Sequence, residues 1–432
     1  MSSKHQEYHA ENRKKVIFTI IFIIIAAAAF FLTLGFGVYK ISIVHALEVF
    51  FDHLTGNIVD ERGDYYIWEL RAPRALAAIL VGAGLSLAGV VMQNDFKNPL
   101  AEPYTMGISS GAFLGAVLAM AYGFYIIPIA GNFGEVINAF VLSLVPTAII
   151  VLISMFRKMT PTAMILTGVA IMFLFSSITQ IILVTSPSET VASAYEWRVG
   201  TFSSIRWQHI PIMLGVSAPL IVLLMLFYKK LNVMYVGDRS AKTLGEDPRN
   251  IRIITLVLVS FLTAILVSFT GTIGFIGLVG PQIARIFVGS NNKYLIPASM
   301  AFGAAFILIA DTVAKVTGTN GLPVGVISSM VGGPLFLYIL AKQKKSAWLR
   351  SDYPFAVDLY TGVAELLAYR FQDPLHAGEI GDAGGQHAPV FTAVPAASDE
   401  LRGDAAHGHH STLLSHLLDE HPGQLLAPVR LL

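Results

Sequence analysis

Long apolar segments without charges constrain this chain more than any other feature. The first, residues 16–38, contains 23 residues and no charged side chain. At 1.5 Å per helical residue this segment is roughly 35 Å long, enough to cross a bilayer. The pattern predicts an all-α polytopic membrane protein with about ten transmembrane helices. The nine further apolar segments have the approximate limits 72–93, 104–123, 137–156, 162–185, 211–228, 251–270, 273–288, 295–312 and 323–341.

The composition agrees with a chain that lies largely in lipid. Hydrophobic residues make up 54% of the sequence and charged residues only 13%, whereas a soluble protein carries roughly a quarter charged residues. The mean hydropathy is +0.65. A net charge of +1 gives no basic field that would attract nucleic acid. The absence of cysteine excludes disulfides, cysteine-ligated zinc and thiol catalysis.

The N-terminal segment 1–15 is polar and basic and leads directly into the first apolar segment. A cleavable signal peptide has a shorter apolar core and a small-residue cleavage site. Because many spans follow, we interpret residues 16–38 as a retained first transmembrane helix. With the N-terminus inside, eighteen Lys and Arg residues up to residue 345 fall inside and seven outside. This asymmetry predicts an N-in, C-in membrane domain over residues 16–343.

The longest basic inside loop spans about 229–252. Its middle, from Asp238 to Leu244, is predicted to form a short amphipathic helix, with Gly245 as the stop signal. A cytoplasmic loop of this kind is either a plain surface connection or a docking element for a soluble partner.

The composition changes after Lys345. Residues 346–432 contain no Lys, and seven of the twelve His residues of the chain lie there. We interpret 344–432 as a weakly ordered, His-rich cytosolic tail, either native or derived from a fusion or an extension. The histidines at 407, 409 and 410 can bind a transition metal, but a His-rich tail without a metal site is the preferred interpretation, and no metal site is predicted.

Three motif searches bear on catalysis. The sequence has no G-x-x-x-x-G-K-[ST] phosphate loop, so an ATPase that drives transport must be another chain, and this chain is not predicted to be an enzyme by itself. Residues 107–111 match G-x-S-x-G around Ser109, but a nucleophile elbow also needs a strand–turn–helix and a histidine. We interpret these glycines, and those of 271–277, as sites of close helix packing or, for 271–277, of a re-entrant turn.

Asp311 is the acidic residue in the apolar stretch 295–316. An intramembrane carboxylate is a functional candidate, here an ion or proton relay of a secondary transporter. Alternatively, Asp311 pairs with Lys315, because residues four apart lie on one helical face. We favour the local pair.

Two arginines precede the second span in the sequence Arg71-Ala-Pro73-Arg74. Three-residue spacing places both on one face of a helix, and Pro73 suits a first turn. Arginines at an interface can simply extend toward water. However, these lie on the side where positive charge is normally avoided, and a cationic outer rim suits the docking of an acidic partner.

Several of these motifs occur together in a known order. The first run is Arg-x-Pro-Arg at 71–74, Gln93, Asn-Pro-Leu-Ala at 98–101, Pro103, Gly107 and Gly-Ala at 111–112. This run resembles the FecCD-type permeases, which import iron-siderophore complexes, haem and vitamin B12. A second run, 271–285 followed by Ala-Asp at 310–311 and Leu-Pro-Val-Gly at 322–325, resembles the distal half of the same family. The resemblance covers about 16–343.

The resemblance implies a ten-span protomer of the ABC importer type II permease kind. Such a protomer works around a central pathway with a second copy of itself or a paralogous permease. Two ATP-binding subunits on the cytoplasmic face would bind ATP and Mg²⁺, and this chain would bind no cofactor. An extracytoplasmic substrate-binding protein would deliver the cargo. The implied location is the cytoplasmic membrane of a bacterium or archaeon.

The resemblance also implies roles for individual residues. Docking of the binding protein falls on Arg71, Arg74 and Lys315, where Lys replaces the Arg of the family pattern and offers a point charge instead of a fork. The cytoplasmic gate falls on Asn98, Leu100, Thr160 and Thr162, and Pro161 between the threonines departs from the polar residue expected there. The coupling loop that meets the ATPase falls on about 238–247, with Asp238, Arg239, Ala241, Leu244 and Gly245.

The leading hypothesis is therefore a permease subunit of an ATP-driven importer of an iron-siderophore or a haem- or cobalamin-like complex. The alternative is an ion- or proton-coupled secondary transporter that uses Asp311. A membrane-embedded hydrolase that uses Ser109 is the third hypothesis. The sequence does not identify the cargo, because the binding protein largely selects the ligand.

Overall fold

The structure, a computed structural model, describes residues 2–342 with gaps at 38, 129–132 and 319–320. The predicted tail and its histidines therefore lie outside the described residues. Within the described residues the chain forms helices and loops. In chain order the α-helices are α1 (Ser2–Gly35), α2 (Ile43–Thr55), α3 (Glu61–Asp64), α4 (Ala72–Phe96), α5 (Ile108–Tyr122), α6 (Phe133–Phe156), α7 (Pro161–Val184), α8 (Ser188–Val199), α9 (Ile210–Leu226), α10 (Tyr228–Val236), α11 (Asp238–Thr243), α12 (Pro248–Thr270), α13 (Ile276–Val288), α14 (Asn292–Val316) and α15 (Val324–Lys342).

Ten of these helices match the ten predicted apolar segments. Seven helical spans of the described chain are long and apolar enough to cross a membrane, namely α1, Glu61–Phe96, α6, α7, α12, α14 and α15. The α9–α10 pair, bent by 52°, forms an eighth, and α5 and α13 are shorter apolar helices. The prediction of an all-α polytopic membrane protein is confirmed.

The second span is longer than its predicted segment. A π-helical stretch, Tyr65–Arg71, joins α3 to α4 without a break, and the 36 residues of Glu61–Phe96 reach about 54 Å. This length exceeds the roughly 30 Å of a hydrocarbon core. The span therefore has room to extend beyond the lipid at its first end, where Arg71 and Arg74 lie.

Helix α2 was not among the predicted segments, because its 13 residues are too short to cross a bilayer. Its boundaries follow ordinary capping rules. The Ser42 hydroxyl accepts from the His45 N–H at 3.2 Å, and Gly56 ends the helix in the left-handed conformation, with φ of 75°. The helix lies in the outside connection between the first two spans.

Close contacts at small residues place α4 in the centre of the bundle. A Cβ on Gly82 would overlap the backbone of Gly303 on α14, and a Cβ on Gly89 would overlap the carbonyl of Gly277 on α13. Between these positions the Ser86 and Ser299 hydroxyls lie 2.7 Å apart and are buried. Small residues permit such approach where lipid provides no hydrophobic force between helices.

The two ends of α4 carry the residues that the sequence singled out. At its first end α4 meets the last two turns of α14, where Asp311 and Lys315 lie. At its last end it meets the start of α12 and the short helix α11. A helix of 25 residues separates the two sites by about 37 Å. By the predicted topology the first site is extracytoplasmic and the second is cytoplasmic.

Candidate functional site

The three predicted docking residues meet in one cavity at the outer end of the bundle. The cavity has a volume of about 250 Å³, and Arg71, Arg74 and Lys315 line it together with Arg206. We call it the outer basic pocket. Glu196 is the acidic residue of its lining. Arg206 donates to the carbonyls of Ser203 and Ile205, both at 2.8 Å.

Asp311 is the buried counter-charge behind this pocket. Its carboxylate accepts Nε of Arg74 at 3.0 Å on both oxygens and a second guanidinium nitrogen at 2.6 Å. Nζ of Lys315 lies 3.2 Å from the other side of the same carboxylate. The predicted pairing of Asp311 with Lys315 is confirmed. The second partner, Arg74, lies 237 residues away in sequence and was not predicted.

Lys315 and Arg71 are further fixed by neutral partners. Nζ of Lys315 donates to the Thr33 hydroxyl at 3.0 Å. The Arg71 guanidinium donates to the Leu34 carbonyl at 2.6 Å and also to the Tyr39 carbonyl. Arg71 therefore holds the end of α1 and the chain that follows it.

These contacts correct one expectation about the outer cations. A cationic rim was expected, but Arg71 and Lys315 are only 6% and 7% exposed. The end of α1 and the chain after it supply acceptors for Arg71, and α1 and α14 supply them for Lys315. The Arg74 side chain is 17% exposed and the Asp311 side chain is fully buried. An approaching partner would therefore reach Arg74 more readily than the other two. A docking role for all three stays a prediction.

The first predicted gate segment follows α4 directly. Lys97 ends the helix with a left-handed φ of 50°, and the Asn98 side-chain oxygen accepts from the Leu100 N–H at 2.9 Å. Asn98 and Leu100 are both half-buried. This local turn fixes the backbone of the segment before the 3₁₀ turn Pro103–Met106.

Glu102 and Tyr104 were not predicted as site residues although they lie within the motif. Burial raises the pKa of the Glu102 carboxyl to about 7. The Tyr104 hydroxyl lies 3.2 Å from both the carbonyl and the N–H of Ile273, and so connects this segment to the turn between α12 and α13. The sequence signal that could have identified Glu102 is its position four residues after Asn98, in a polar, proline-rich turn.

The second predicted gate segment begins α7. The Thr160 hydroxyl caps this helix by accepting from the Ala163 N–H at 3.2 Å, and Pro161 takes the first helical position. Thr160 and Thr162 are both exposed. Pro161, which departs from the family pattern, is thus accommodated by the capping geometry. Within the described residues, no hydrogen bond joins Thr160 or Thr162 to Asn98 or Leu100.

The predicted coupling loop forms the short helix that its sequence indicated. Helix α11 covers Asp238–Thr243, and Gly245 follows with a left-handed φ of 81°. The Glu246 N–H donates to Ala241 and the Gly245 N–H to Lys242, both at 3.0 Å, which closes the helix as a Schellman motif.

The faces of α11 differ in exposure. Ala241 is fully buried against Met234 and Ile251, whereas Arg239 is exposed. The Leu244 side chain is 66% exposed. The helix is therefore fixed on one side and presents an apolar residue on the other.

The glycine-rich motifs have packing and turn roles, as interpreted. A Cβ on Gly111 would overlap the Leu142 carbonyl of α6, and Gly271 is left-handed against the Trp197 carbonyl. Ser109 lies on α5, an α-helix, without the strand–turn–helix that a nucleophile elbow requires. Residues 271–275 form the turn between α12 and α13.

Comparison with known proteins agrees with this arrangement. A model of the FecCD transport family matches residues 23–342. A cobalamin import system permease protein of Halobacterium salinarum is 36% identical over 290 residues, 67% of this chain and 77% of that protein. A hemin transport system permease protein of Yersinia pestis is 32% identical over 283 residues, 65% of this chain and 85% of that protein.

A solved structure supports the same assignment. A metal-chelate type ABC transporter in an inward-facing conformation aligns with a TM-score of 0.67 and 28% identity, over 75% of this chain and 98% of that chain. The family match covers the described helices from within α1 to the end of α15. This chain is therefore a permease component that belongs to the FecCD transport family.

Proposed function

We propose that this chain is the permease subunit of an ATP-driven importer in the cytoplasmic membrane of a bacterium or archaeon. The observation that supports the proposal is that this fold has two candidate docking sites, one at each end of α4. A basic pocket lies at one end of α4, and a short helix with an exposed apolar residue lies at the other. The first site suits an acidic extracytoplasmic binding protein, and the second suits a cytoplasmic ATPase.

At the outer end, a carboxylate of the binding protein would approach Arg74, the most accessible partner of Asp311. Asp311 balances one of the two positive charges that contact it, so the cluster of Arg74, Lys315 and Asp311 keeps a net charge of +1. Arg71 adds a further positive charge to the same lining. Complementary charge mainly sets orientation and association rate.

At the inner end, Leu244 would enter the surface of an ATP-binding subunit. Two such subunits would carry ATP and Mg²⁺, and a second copy of this chain or a paralogous permease would complete the pathway. Closure of the ATPase subunits would move α11 and, through it, the gate segments near Asn98 and Thr160. No covalent chemistry is assigned to this chain.

The proposed cargo is an iron-siderophore or a haem- or cobalamin-like complex. The support is the family match together with relatives whose printed names are cobalamin and hemin permeases. The structure argues against the alternative of a secondary transporter that uses Asp311. This carboxylate already contacts two cations, so a transported proton or cation would have to displace them.

The test is co-purification with an ATP-binding subunit. Leu244→Asp places a charge on the exposed apolar position and is expected to abolish co-purification, because desolvating a carboxylate at an interface is unfavourable. Leu54→Asp is the matched control, since Leu54 is 57% exposed on the outside helix α2. ATP-dependent uptake in proteoliposomes should likewise be lost with Leu244→Asp and retained with Leu54→Asp. Equal co-purification of both variants and wild type would contradict the proposal.

A further inference from the structure

The first residue of α11 makes contacts that none of the predicted roles requires. The Asp238 carboxylate accepts Nζ of Lys97 at 2.8 Å. A guanidinium nitrogen of Arg252 donates to both of its oxygens, at 3.1 and 3.3 Å. The coupling helix is therefore bound at its N-terminus by two cations from two other segments of the chain.

Lys97 connects this carboxylate to the first gate segment. It is the left-handed residue that ends α4, and Asn98 follows it immediately. The Asn98 side chain holds the Leu100 N–H at 2.9 Å, so the turn 97–100 is a locally fixed unit. A displacement of Asp238 that pulls Lys97 therefore acts on the residue adjacent to the gate.

Arg252 forms the buried side of the same arrangement. Its side chain is 5% exposed, and its Nε donates to the Asp95 carbonyl in the last turn of α4 at 2.9 Å. One guanidinium thus joins α4, α12 and α11. Because Arg252 is enclosed while Lys97 is about one-third exposed, Arg252 is the fixed point and Lys97 is the movable partner.

We propose that Asp238 is a positioning residue that transmits movement of α11 to the Asn98–Leu100 gate through Lys97, with Arg252 as the buried pivot. This inference rests on the proposed function, because it assumes that an ATP-binding subunit moves α11. It adds the contact that carries the movement from the coupling helix to the gate.

The charge state of Asp238 suits this role. Burial opposes ionisation of the carboxyl, but the hydrogen bond from Lys97 and the positive charge of Arg252 outweigh it, and the pKa lies below its usual value. The carboxylate is therefore ionised throughout the neutral range. Exposed ion pairs contribute little to folding stability, so losing the Lys97 contact should leave the fold intact.

A simpler interpretation is that Asp238 only stabilises its own helix. An acidic residue in a first turn interacts favourably with the helix dipole, and this role does not involve Lys97. The two interpretations differ for Lys97→Met. A dipole role predicts that this variant is silent, whereas the proposed role predicts that it behaves like Asp238→Asn.

The outside helix α2 offers a matched control. The Glu48 carboxylate lies 3.2 Å from the His45 ring, and both residues lie outside the coupling loop and the gate segments. Glu48→Gln removes one carboxylate charge, as Asp238→Asn does, without touching Lys97 or Arg252. It should leave the ratio of uptake to ATP hydrolysis unchanged.

The experiment measures cargo uptake per ATP hydrolysed in proteoliposomes that contain the chain, its ATP-binding subunits and its binding protein. The cargo tested is ferric siderophore, hemin and cobalamin in turn. Lys97→Met, at a residue outside the coupling loop, should retain ATPase co-purification and hydrolysis. The uptake per ATP of both Asp238→Asn and Lys97→Met should fall roughly three- to tenfold, as expected for losing one or two charge-assisted hydrogen bonds. Lys97→Arg, which keeps the charge, should restore it.

A second readout reports the gate itself. The chain has no native cysteine, so Leu100→Cys provides a single thiol whose labelling by a maleimide can be followed with and without ATP. The ATP-dependent change in labelling should be present with Glu48→Gln and lost with Asp238→Asn. A purely structural role of Asp238 would not alter this difference.

Three outcomes overturn the inference in distinguishable ways. If the wild-type chain does not bind an ATP-binding subunit, the proposed function fails and the inference fails with it. If the subunit binds and is active but Asp238→Asn transports with the wild-type ratio, the inference alone fails. A silent Lys97→Met beside a defective Asp238→Asn also overturns it, because the contact to the gate would then be irrelevant.

Discussion

Replacing Asp311 with Asn tests whether this carboxylate is a structural counter-charge. The substitution keeps the size of the side chain and removes its charge. Arg74 and Lys315 would then share a pocket without the carboxylate that contacts both, at 2.6 and 3.2 Å. The Lys315 side chain is only 5% exposed, so water cannot readily replace the lost partner.

The expected loss of stability follows from this burial. Breaking a buried ion pair by removing one partner costs about 3–5 kcal/mol, and the 17% exposure of Arg74 favours the lower end. Unfolding entropy of about 2.1 cal/mol/K per residue over about 340 residues gives roughly 0.7 kcal/mol/K. The apparent melting temperature should therefore fall by about 4–7 °C.

The assay is thermal unfolding in nanodiscs at one fixed scan rate, because membrane proteins of this size unfold irreversibly. The double variant Asp311→Asn with Lys315→Met is the matched control. It removes both the carboxylate and the ammonium, and most of the lost stability should return. A melting temperature of Asp311→Asn within about 1 °C of wild type would refute the counter-charge argument.

The same variant separates the two transport hypotheses. If Asp311 only balances charge, transport by correctly folded Asp311→Asn should still require ATP. If Asp311 carries a coupling ion, an ATP-independent uptake should exist in the wild-type chain and disappear in the variant. The comparison uses proteoliposomes with and without ATP and normalises uptake to folded protein.

The remaining predictions concern docking and packing. Arg74→Gln should weaken binding-protein docking most at low ionic strength, where charge is least screened. Arg62 is an exposed outside cation beyond the pocket, and Arg62→Gln should not weaken docking. Equal effects of the two variants in a nanodisc binding assay would contradict a docking role of the outer basic pocket. Gly89→Ala should destabilise the bundle by about 1–3 kcal/mol, because the new methyl overlaps the Gly277 carbonyl. Gly215→Ala on α9, with open space around it, should leave the melting temperature unchanged.

Much of the fold could be predicted because its determinants are local. The ten apolar segments agree with the observed helices to within a few residues at most boundaries, since bilayer thickness and backbone hydrogen bonding fix both the composition and the length of a span. The stop of α11 at Gly245 and the pairing of Asp311 with Lys315 were also predictable. Both depend on residues only a few positions apart.

Other short helices outside the spans, such as α2 and α8, could not be predicted from local pattern. Helix α8 contains 12 residues of mixed polarity, and its sequence competes with many loop conformations of similar free energy. Its position is stabilised instead by buried Ala194 and by Trp197, which stacks on Phe113 at 5.8 Å. Such contacts exist only after the spans have packed.

The charged sites separate what the sequence determines from what only the tertiary structure decides. The sequence identified Arg71, Arg74 and Asp311 as unusual charges, because their types and positions are visible in one dimension, and it placed Asp238 at the start of a short helix. Only the packed bundle decided their partners: Arg74 meets Asp311 across 237 residues, and Lys97 meets Asp238 across 141. Residues so distant in sequence become neighbours through the close approach of helices, which small residues permit and which local pattern does not encode.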